Sequence, residues 1–293
     1  MTRIISSLSE IGANYDALLC DLWGCVHNGI EPFPEAVAAL QAYRRSGGVV
    51  CLVTNSPKPR AGVEAQMDAM GLPRDTWDTI ATSGDSARAA MFSGLVGERV
   101  FFIGEERDLP FFERMKLMPD ARAITRVSLD QAEGLVCTGP FGPLADPADL
   151  RPQLLLAKTM GLKLLCANPD IVVDRGETRE WCAGAVAQLY TEMGGESLYF
   201  GKPHPPIYDL ARRRLAEIGR LPRDADRVLA VGDGIATDVQ GALGEDIDSI
   251  FITGGLAARE TATAPGGQPD PDRLTRFTEA AMVAPTYAMG FLR

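Results

Sequence analysis

The stretch ALLCDLWGCVHNG, residues 17–29, joins an apolar run to a glycine-containing turn and places one carboxylate, Asp21, at the junction. Short apolar runs without polar alternation are typical of strands in a parallel sheet that is covered on both faces. An acid directly after such a strand lies at the carboxyl end of the sheet, where open α/β sheets bind ligands. The stretch therefore predicts a parallel α/β core with a functional carboxylate at its rim.

Further apolar runs recur along the chain, and stretches with helical periodicity separate many of them. The predicted strands are 17–21, 49–54, 78–83, 99–103, 134–138, 162–167, 197–200, 227–232 and 249–253. The predicted helices are 34–46, 57–70, 147–160, 181–194, 205–218 and 237–244. This alternation of strands and helices indicates an α/β fold.

Composition limits the kinds of partner that the chain can bind. Its 293 residues suffice for about two domains. The net charge of −10 makes it a poor general ligand for nucleic acid or anionic lipid. No apolar run reaches the roughly 18 residues that cross a bilayer, and residues 1–12 hold no stretch of signal-peptide length. We therefore expect a cytoplasmic protein that binds neither nucleic acid nor membranes.

The six cysteines show no metal-type spacing. Four of them lie inside apolar, strand-like runs and are predicted to be buried, reduced thiols: Cys20, Cys51, Cys137 and Cys166. Cys25 differs because it lies in the turn after Asp21, where a substrate could touch it.

Polar side chains end several of the apolar runs. They are Asp21, Thr54, Ser83, Asp233 and Thr253. Because the carboxyl ends of parallel strands meet at one edge of a sheet, these residues could share one rim although they are far apart in sequence.

Four stretches combine these positions with further polar groups. They are DLWGCVHNG (21–29), LVTNSPKP (52–59), YFGKPHPPIY (199–208) and VLAVGDGIATD (228–238). The residue types suit phosphoryl transfer, in which the carboxylate of Asp21 attacks phosphorus and forms an aspartyl-phosphate. The charge that develops on the phosphoryl oxygens needs donors and cations, and Thr54, Asn55 and Lys202 can supply them.

The acidic residues also predict a magnesium site. Carboxylate oxygens hold Mg²⁺ and leave positions for water and phosphate. Asp21 and Asp233 are the predicted direct ligands, and Asp238 is a ligand or a support behind them.

The order of aspartate, threonine, lysine and paired aspartates resembles the haloacid dehalogenase (HAD) superfamily. Only 33 positions separate Asp21 from Thr54, whereas 148 separate Thr54 from Lys202. A large insert at the second place is similar to the class IIA subgroup, which includes nitrophenyl-phosphatases and sugar- or nucleotide-phosphatases. The resemblance covers nearly the whole chain and is supported by ATSGDSA (81–87), CANPD (166–170) and GKPHPPIYDLA (201–211).

This resemblance implies a Rossmann-like doubly wound parallel sheet core with an inserted, smaller α/β cap domain. The core is expected at 1–85 and 197–293 and the cap at 86–196. In the cap, Asn168, Asp170 and Arg175 are expected to contact a polar substrate.

Carried over by position, the resemblance implies that Asp21 is the nucleophile and that the backbone carbonyl of Trp23 is a magnesium ligand. Asp233 and Asp238 match the acidic motif of the family. The residues implied to bind phosphate are Thr54, Asn55 and Lys202, and Lys202 is also implied to be catalytic.

Trp23 departs from the family pattern. In family phosphatases that position normally holds a second aspartate, which protonates the leaving oxygen and then activates water. An indole can do neither, and general acid–base help is typically worth about 10²–10⁴ in rate. One interpretation is that another group substitutes, namely His27, His204 or a cap acid, Asp170 or Asp174.

Two further interpretations stay open. The leaving group could need no acid, although residues 22–54 contain no lysine for the imine chemistry of phosphonate hydrolases. Alternatively, the protein binds Mg²⁺ and a phosphorylated ligand without turnover, and Trp23 is an aromatic wall. The sequence favours a Mg²⁺-dependent hydrolase of a small phosphorylated metabolite, a sugar phosphate or a nucleotide. A homodimer is compatible with it.

Overall fold

The computed structural model describes residues 2–115 and 118–293. Its strands are β1 (Arg3–Ile4), β2 (Ala17–Cys20), β3 (Val49–Thr54), β4 (Thr79–Thr82), β5 (Arg99–Ile103), β6 (Thr125–Arg126), β7 (Gly134–Cys137), β8 (Lys163–Cys166), β9 (Val172–Arg175), β10 (Thr178–Trp181), β11 (Glu196–Tyr199), β12 (Val228–Gly232), β13 (Asp248–Ile252) and β14 (Tyr287–Met289). Its helices are α1 (Pro34–Arg45), α2 (Arg60–Ala69), α3 (Ser83–Phe92), α4 (Arg151–Thr159), α5 (Ala183–Glu192), α6 (Pro205–Glu217), α7 (Gln240–Gly244) and α8 (Pro271–Ala281).

By its internal contacts the chain divides into two units, and the first comprises Met1–Thr54, Glu64–Ala81 and Tyr208–Arg293. Its sheet has the strand order β1-β14-β13-β12-β2-β3-β4. The strand β2 pairs in parallel with β12 on one side and with β3 on the other. All residues of β2 and β3 are buried, as the unbroken apolar runs predict.

The second unit comprises Asn55–Val63 and Thr82–Ile207. Its five-stranded sheet has the order β11-β8-β7-β5-β6, and neighbouring strands pair in parallel. A separate antiparallel hairpin is formed by β9 and β10. Leu135 and Leu164 of the sheet pack with Leu154 of α4 and Tyr190 of α5 in one buried cluster.

The two units are α/β structures with parallel sheets, so the predicted fold class is confirmed. Every predicted strand corresponds to an observed one, and each predicted helix contains an observed helix. The domain boundaries 1–85, 86–196 and 197–293 stay a prediction. Three residues of these ranges, Met1, Lys116 and Leu117, lie outside the part of the chain that the structure describes.

The sequence did not predict the helices α3 and α8, the hairpin β9–β10 or the strands β1, β6 and β14. The helix α8 begins after Asp270, whose side chain accepts a hydrogen bond from the backbone N–H of Arg273. Its buried Leu274 packs against β13, and Phe277 stacks on Phe251 with ring centroids 5.9 Å apart. Within the described residues, no helix combines the length and the apolar character needed to cross a bilayer.

Candidate active site

Asp21 lies directly after β2, at the carboxyl end of the first unit's sheet. Its backbone N–H donates to the carbonyl of Val231 in β12 at 2.8 Å. In the parallel register Cys20 pairs with Val231 and with Leu52, so Asp233 and Thr54 follow at the same edge of the sheet. Of the five residues predicted for one rim, these three therefore lie at the same edge of the first unit's sheet, as does Thr253 directly after β13, whereas Ser83 belongs to the second unit.

The turn after Asp21 is closed by its own backbone. The N–H of Val26 donates to the carbonyl of Leu22 at 2.8 Å, and the N–H of Gly24 donates to that of His27 at 3.0 Å. Gly24 has φ +72°, a left-handed conformation in which other residues are strained. The glycine of this turn is thus required by the backbone path.

The carboxylate of Asp233 is held by main chain. Its Oδ2 accepts the backbone N–H of Leu256 at 3.0 Å. A Cβ at Gly24 would lie 2.1 Å from this oxygen, and one at Gly255 would lie 2.0 Å from it. This close approach was not predicted from the sequence, although the paired glycines after β13 are a signal for it.

Asp21, Cys25 and Asp233 form one tight cluster of metal-ligating side chains. One carboxylate oxygen of each aspartate and Sγ of Cys25 lie within 4.8 Å of one another, and the three residues are buried. Burial raises the pKa of the Cys25 thiol well above its usual value, and the carboxylates of Asp233 and Asp21 raise it further. The thiol next to the carboxylates is therefore protonated at neutral pH.

This donor set fits a divalent cation. Two buried carboxylates at such a distance repel each other, and a cation between them removes the repulsion. Hard cations such as Mg²⁺ are often held by one or two carboxylates together with waters and substrate phosphate. Asp21 and Asp233 match that requirement, whereas the sulfur of Cys25 is a soft donor that binds Mg²⁺ weakly.

Asp238 has a different position in the same unit. Its Oδ2 accepts the backbone N–H of Gly234 at 3.1 Å and the hydroxyl of Thr237 at 3.3 Å. These contacts hold the helical turn Ile235–Val239 that follows Asp233. Asp238 thus orders the loop beside the cluster, and its predicted role as a metal ligand stays a prediction.

The indole of Trp23 packs on its own loop. A Cβ at Gly29 would lie 2.3 Å from the indole ring, so that ring covers the glycine. The ring of His27 meets the indole edge-on, with centroids 5.1 Å apart. His27 is 1% exposed and its Nδ1 accepts the backbone N–H of Gly29 at 3.0 Å, so in the neutral ring Nε2 carries the proton.

Asn55 and Lys202 lie together in the second unit. Oδ1 of Asn55 accepts the backbone N–H of Lys202 at 2.7 Å, and Nδ2 donates to the carbonyl of Lys202 at 3.1 Å. Nδ2 also donates to Oδ1 of Asp170 at 2.8 Å. Both amide N–H groups of Asn55 are therefore used, and the side chain fixes the backbone of Lys202. The side chain of Lys202 is buried.

The predicted cap residues separate into two places of the second unit. Asn168 accepts the backbone N–H of Asp170 at 3.0 Å, which holds Asp170 beside Asn55. Arg175 lies on the hairpin β9–β10, where its Nε donates to Oε1 of Glu180 at 2.9 Å. Their predicted contact with substrate stays a prediction.

The remaining acid–base substitutes have partners of their own. His204 stacks on Tyr199 with ring centroids 4.8 Å apart, and burial lowers the pKa of its imidazole. Asp174 forms a two-point ion pair with Arg179 at 2.7 and 2.8 Å. The lowered pKa favours the neutral imidazole of His204, which suits a proton acceptor better than a donor.

Comparison with known proteins gives concordant matches. A sequence model of the haloacid dehalogenase-like hydrolases matches residues 18–117, and a second HAD-hydrolase-like model matches residues 199–280. A crystal structure of a haloacid dehalogenase-like family hydrolase from Brucella suis is 38% identical and has a TM-score of 0.85. It covers 99% of this chain and 100% of that chain.

A characterised relative is the D-glycerol 3-phosphate phosphatase of Mycobacterium tuberculosis, 27% identical over 85% of this chain. The chain spans 66% of the length of that relative. A structure of glycerol phosphate phosphatase from the same organism, in complex with calcium, has a TM-score of 0.63 and 25% identity over 88% of this chain and 73% of that chain. A magnesium complex has a TM-score of 0.63 and 24% identity over 90% and 76% of the two chains.

Proposed function

Because the chain belongs to the haloacid dehalogenase-like hydrolase family, we propose that it is a Mg²⁺-dependent phosphatase with Asp21 as its nucleophile. The observation that carries the proposal is the approach of the Asp21 and Asp233 carboxylates at the carboxyl end of the parallel sheet. The likeness to a phosphatase that has been solved with magnesium and calcium supports the choice of metal.

In the proposed reaction an oxygen of the Asp21 carboxylate attacks phosphorus, and the bond from phosphorus to the leaving oxygen breaks. Water then cleaves the aspartyl-phosphate and releases inorganic phosphate. Asp21 and Asp233 would hold the cation, which would supply positive charge to offset that of the carboxylates and the phosphoryl oxygens. The carboxylate of Asp233 is fixed for this role by the N–H of Leu256.

Thr54, Asn55 and Lys202 are proposed to hold the phosphoryl group. The hydroxyl of Thr54 follows β3 at the same sheet edge as Asp21. Lys202 supplies the positive charge that phosphate requires on a chain of net charge −10. The side-chain amide of Asn55 acts through Lys202, because its donors and acceptor bind the backbone of that lysine and Asp170.

The substrate is proposed to be a small phosphorylated metabolite of the sugar or polyol phosphate class. The name of the characterised relative supports this class, since glycerol 3-phosphate is a polyol phosphate. Asn168, Asp170 and Arg175 are proposed to select the rest of the substrate. A cytoplasmic location, where such metabolites are found, is part of the proposal.

The test is phosphate release from a panel of phosphomonoesters, with and without Mg²⁺. We expect Asp21→Asn to reduce release to the background rate, because an amide is not a nucleophile toward phosphorus. Asp272→Asn is the matched control, since Asp272 is an exposed acid on α8 and should keep full activity. Release that persists in Asp21→Asn would exclude Asp21 as nucleophile.

The packing of Trp23 favours a second candidate function. An indole packed on Gly29 and His27 leaves the family's usual acid–base position without a proton donor. The alternative is a module that binds Mg²⁺ and a phosphorylated ligand without turnover. Calorimetric binding of sugar phosphates, with no release of phosphate by wild type or Asp21→Asn, would establish the module.

A further inference from the structure

The thiol of Cys25 lies at the carboxylate pair that is proposed above to hold Mg²⁺. Its Sγ and one oxygen each of Asp21 and Asp233 lie within 4.8 Å of one another. In the tetrahedral geometry usual for zinc, Zn–S and Zn–O bonds of about 2.3 and 2.1 Å place a sulfur and an oxygen ligand roughly 3.6 Å apart. Small side-chain movements therefore bring all three atoms onto one cation.

The fold orders the turn around Cys25 and the carboxylate of Asp233 independently of any ion. The backbone on either side of Cys25 is hydrogen-bonded, from Val26 to Leu22 at 2.8 Å and from Gly24 to His27 at 3.0 Å. Oδ2 of Asp233 is fixed by the N–H of Leu256. A site whose ligands are oriented beforehand binds its cation with a smaller entropic cost.

We propose that Cys25 is a third protein ligand for thiophilic divalent cations, so that Zn²⁺ or Cd²⁺ binds this site through two carboxylates and one thiolate sulfur, and the thiol proton is released to solvent as the metal–sulfur bond forms. The inference rests on the metal site of the proposed function and adds a donor to it. Mg²⁺ selects oxygen ligands and does not use the sulfur, whereas Zn²⁺ and Cd²⁺ gain a bond from it. A thiophilic cation therefore displaces Mg²⁺ and occupies the carboxylate of the nucleophile Asp21.

The test uses Cd²⁺, whose bond to a cysteine sulfur gives an ultraviolet charge-transfer band. Wild type, Cys25→Ser and Cys51→Ser are titrated after removal of bound metal with a chelator. Cys51 is the matched control because it is also fully buried in the first unit but lies within β3. Mn²⁺, which prefers oxygen ligands, is titrated in parallel to report the carboxylate pair.

We expect wild type and Cys51→Ser to show the band, saturating at one Cd²⁺ per chain, and Cys25→Ser to lack it. The Cd²⁺ affinity of Cys25→Ser should fall at least about tenfold, while its Mn²⁺ affinity should change less than about threefold. If Cys25→Ser does not fold, X-ray absorption of zinc-loaded wild type tests the inference instead. The inference then requires a sulfur ligand at about 2.3 Å from zinc.

A band of full intensity in Cys25→Ser would overturn the inference, as would Mn²⁺ binding to wild type without any Cd²⁺ band. If wild type binds neither Mn²⁺ nor Cd²⁺, both this inference and the metal site of the proposed function are overturned. The readouts do not depend on turnover, so absent phosphatase activity alone leaves this inference standing.

Discussion

Two glycines make room for the carboxylate of Asp233. A Cβ at Gly24 would approach Oδ2 of Asp233 to 2.1 Å, and one at Gly255 to 2.0 Å. Gly24 also has φ +72°. Gly24 therefore has both a steric and a conformational reason to be glycine, and its position tolerates no larger side chain.

Gly24→Ala should therefore lower both stability and metal affinity. The left-handed conformation costs about 1–3 kcal/mol in the free energy of unfolding, and the clash moves the Asp233 carboxylate. Gly71→Ala is the matched control, because Gly71 has φ +75° but no atom within 4 Å of an added Cβ. Urea unfolding and Mn²⁺ titration measure the two effects, and we expect the control to keep its Mn²⁺ affinity. Equal affinities in the two variants would contradict the clash.

We expect Trp23 to limit which leaving groups the proposed enzyme can expel. Without an acid at this position, release should fall steeply as the leaving alcohol becomes less acidic, so nitrophenyl phosphate should react much faster than alkyl phosphates. Trp23→Asp should raise the rate for alkyl phosphates by roughly 10²-fold, the low end of general acid–base help. Trp23→Phe is the control and should leave the leaving-group dependence unchanged. A Trp23→Asp variant without a gain would indicate that another group already supplies the proton.

The hairpin β9–β10 shows at the scale of elements how a turn positions a predicted substrate residue. Arg175 pairs with Thr178 across a two-residue loop, Gly176–Glu177. Gly176 has φ +58°, and a positive φ at the first loop residue is typical of a type II′ turn. The turn also lets Arg175 reach its ion-pair partner Glu180 at 2.9 Å, diagonally across the hairpin, since Glu180 itself lies opposite Val173.

Gly176→Ala should loosen this hairpin and leave the parallel sheet of the same unit intact. The strain is about 1–2 kcal/mol, and a separate two-stranded hairpin has little other stabilisation. Hydrogen exchange of residues 172–181 should accelerate, whereas exchange in β7 and β8 should not change. Gly161→Ala, with φ +70° at the end of α4, is the control and should leave the hairpin exchange unaltered. Equal exchange of the hairpin in wild type and Gly176→Ala would refute this interpretation.

At the scale of the whole chain, the first unit is built from segments that lie more than 200 positions apart. The hydroxyl of Tyr15 donates to Oδ2 of Asp248 at 2.6 Å, across 233 positions. Oδ1 of the same aspartate accepts the hydroxyl of Thr286 at 2.6 Å. Burial raises the pKa of Tyr15, and the hydrogen bond to Asp248 raises it further.

This contact predicts a loss of stability in alkali. Above about pH 10 an unfolded tyrosine loses its proton, whereas folded Tyr15 keeps it, so the free energy of unfolding falls as pH rises. Tyr15→Phe should cost about 1–2 kcal/mol at pH 7 through the lost hydrogen bond. It should also reduce the slope of stability against pH above 10, measured by urea unfolding. A slope equal to that of wild type would show that Tyr15 does not cause the loss.

Nine of the twelve described strands in the two parallel sheets could be predicted from sequence because they carry continuous apolar runs, whereas β1, β6 and β14 were not predicted. The helix α3 could not be predicted, because its polar residues lie in its first six positions and are buried, so polar and apolar residues do not alternate with a helical period. The strands β1 and β6 are two residues long and are defined only by the strand that each pairs with. The helix α8 was not predicted because it begins directly within a stretch rich in proline and glycine, which is typical of a loop.

The sequence by itself determined the α/β fold, the family, and the carboxylate Asp21 at the end of its strand, because these follow from local apolar patterning and from the order of the motifs. Only the tertiary structure decided that the Cys25 thiol meets the carboxylates of Asp21 and Asp233, and that Asn55 holds the backbone of Lys202 across 147 positions. Such contacts depend on how turns and strand register direct side chains that are distant in sequence, and a linear pattern of residue types does not encode those directions.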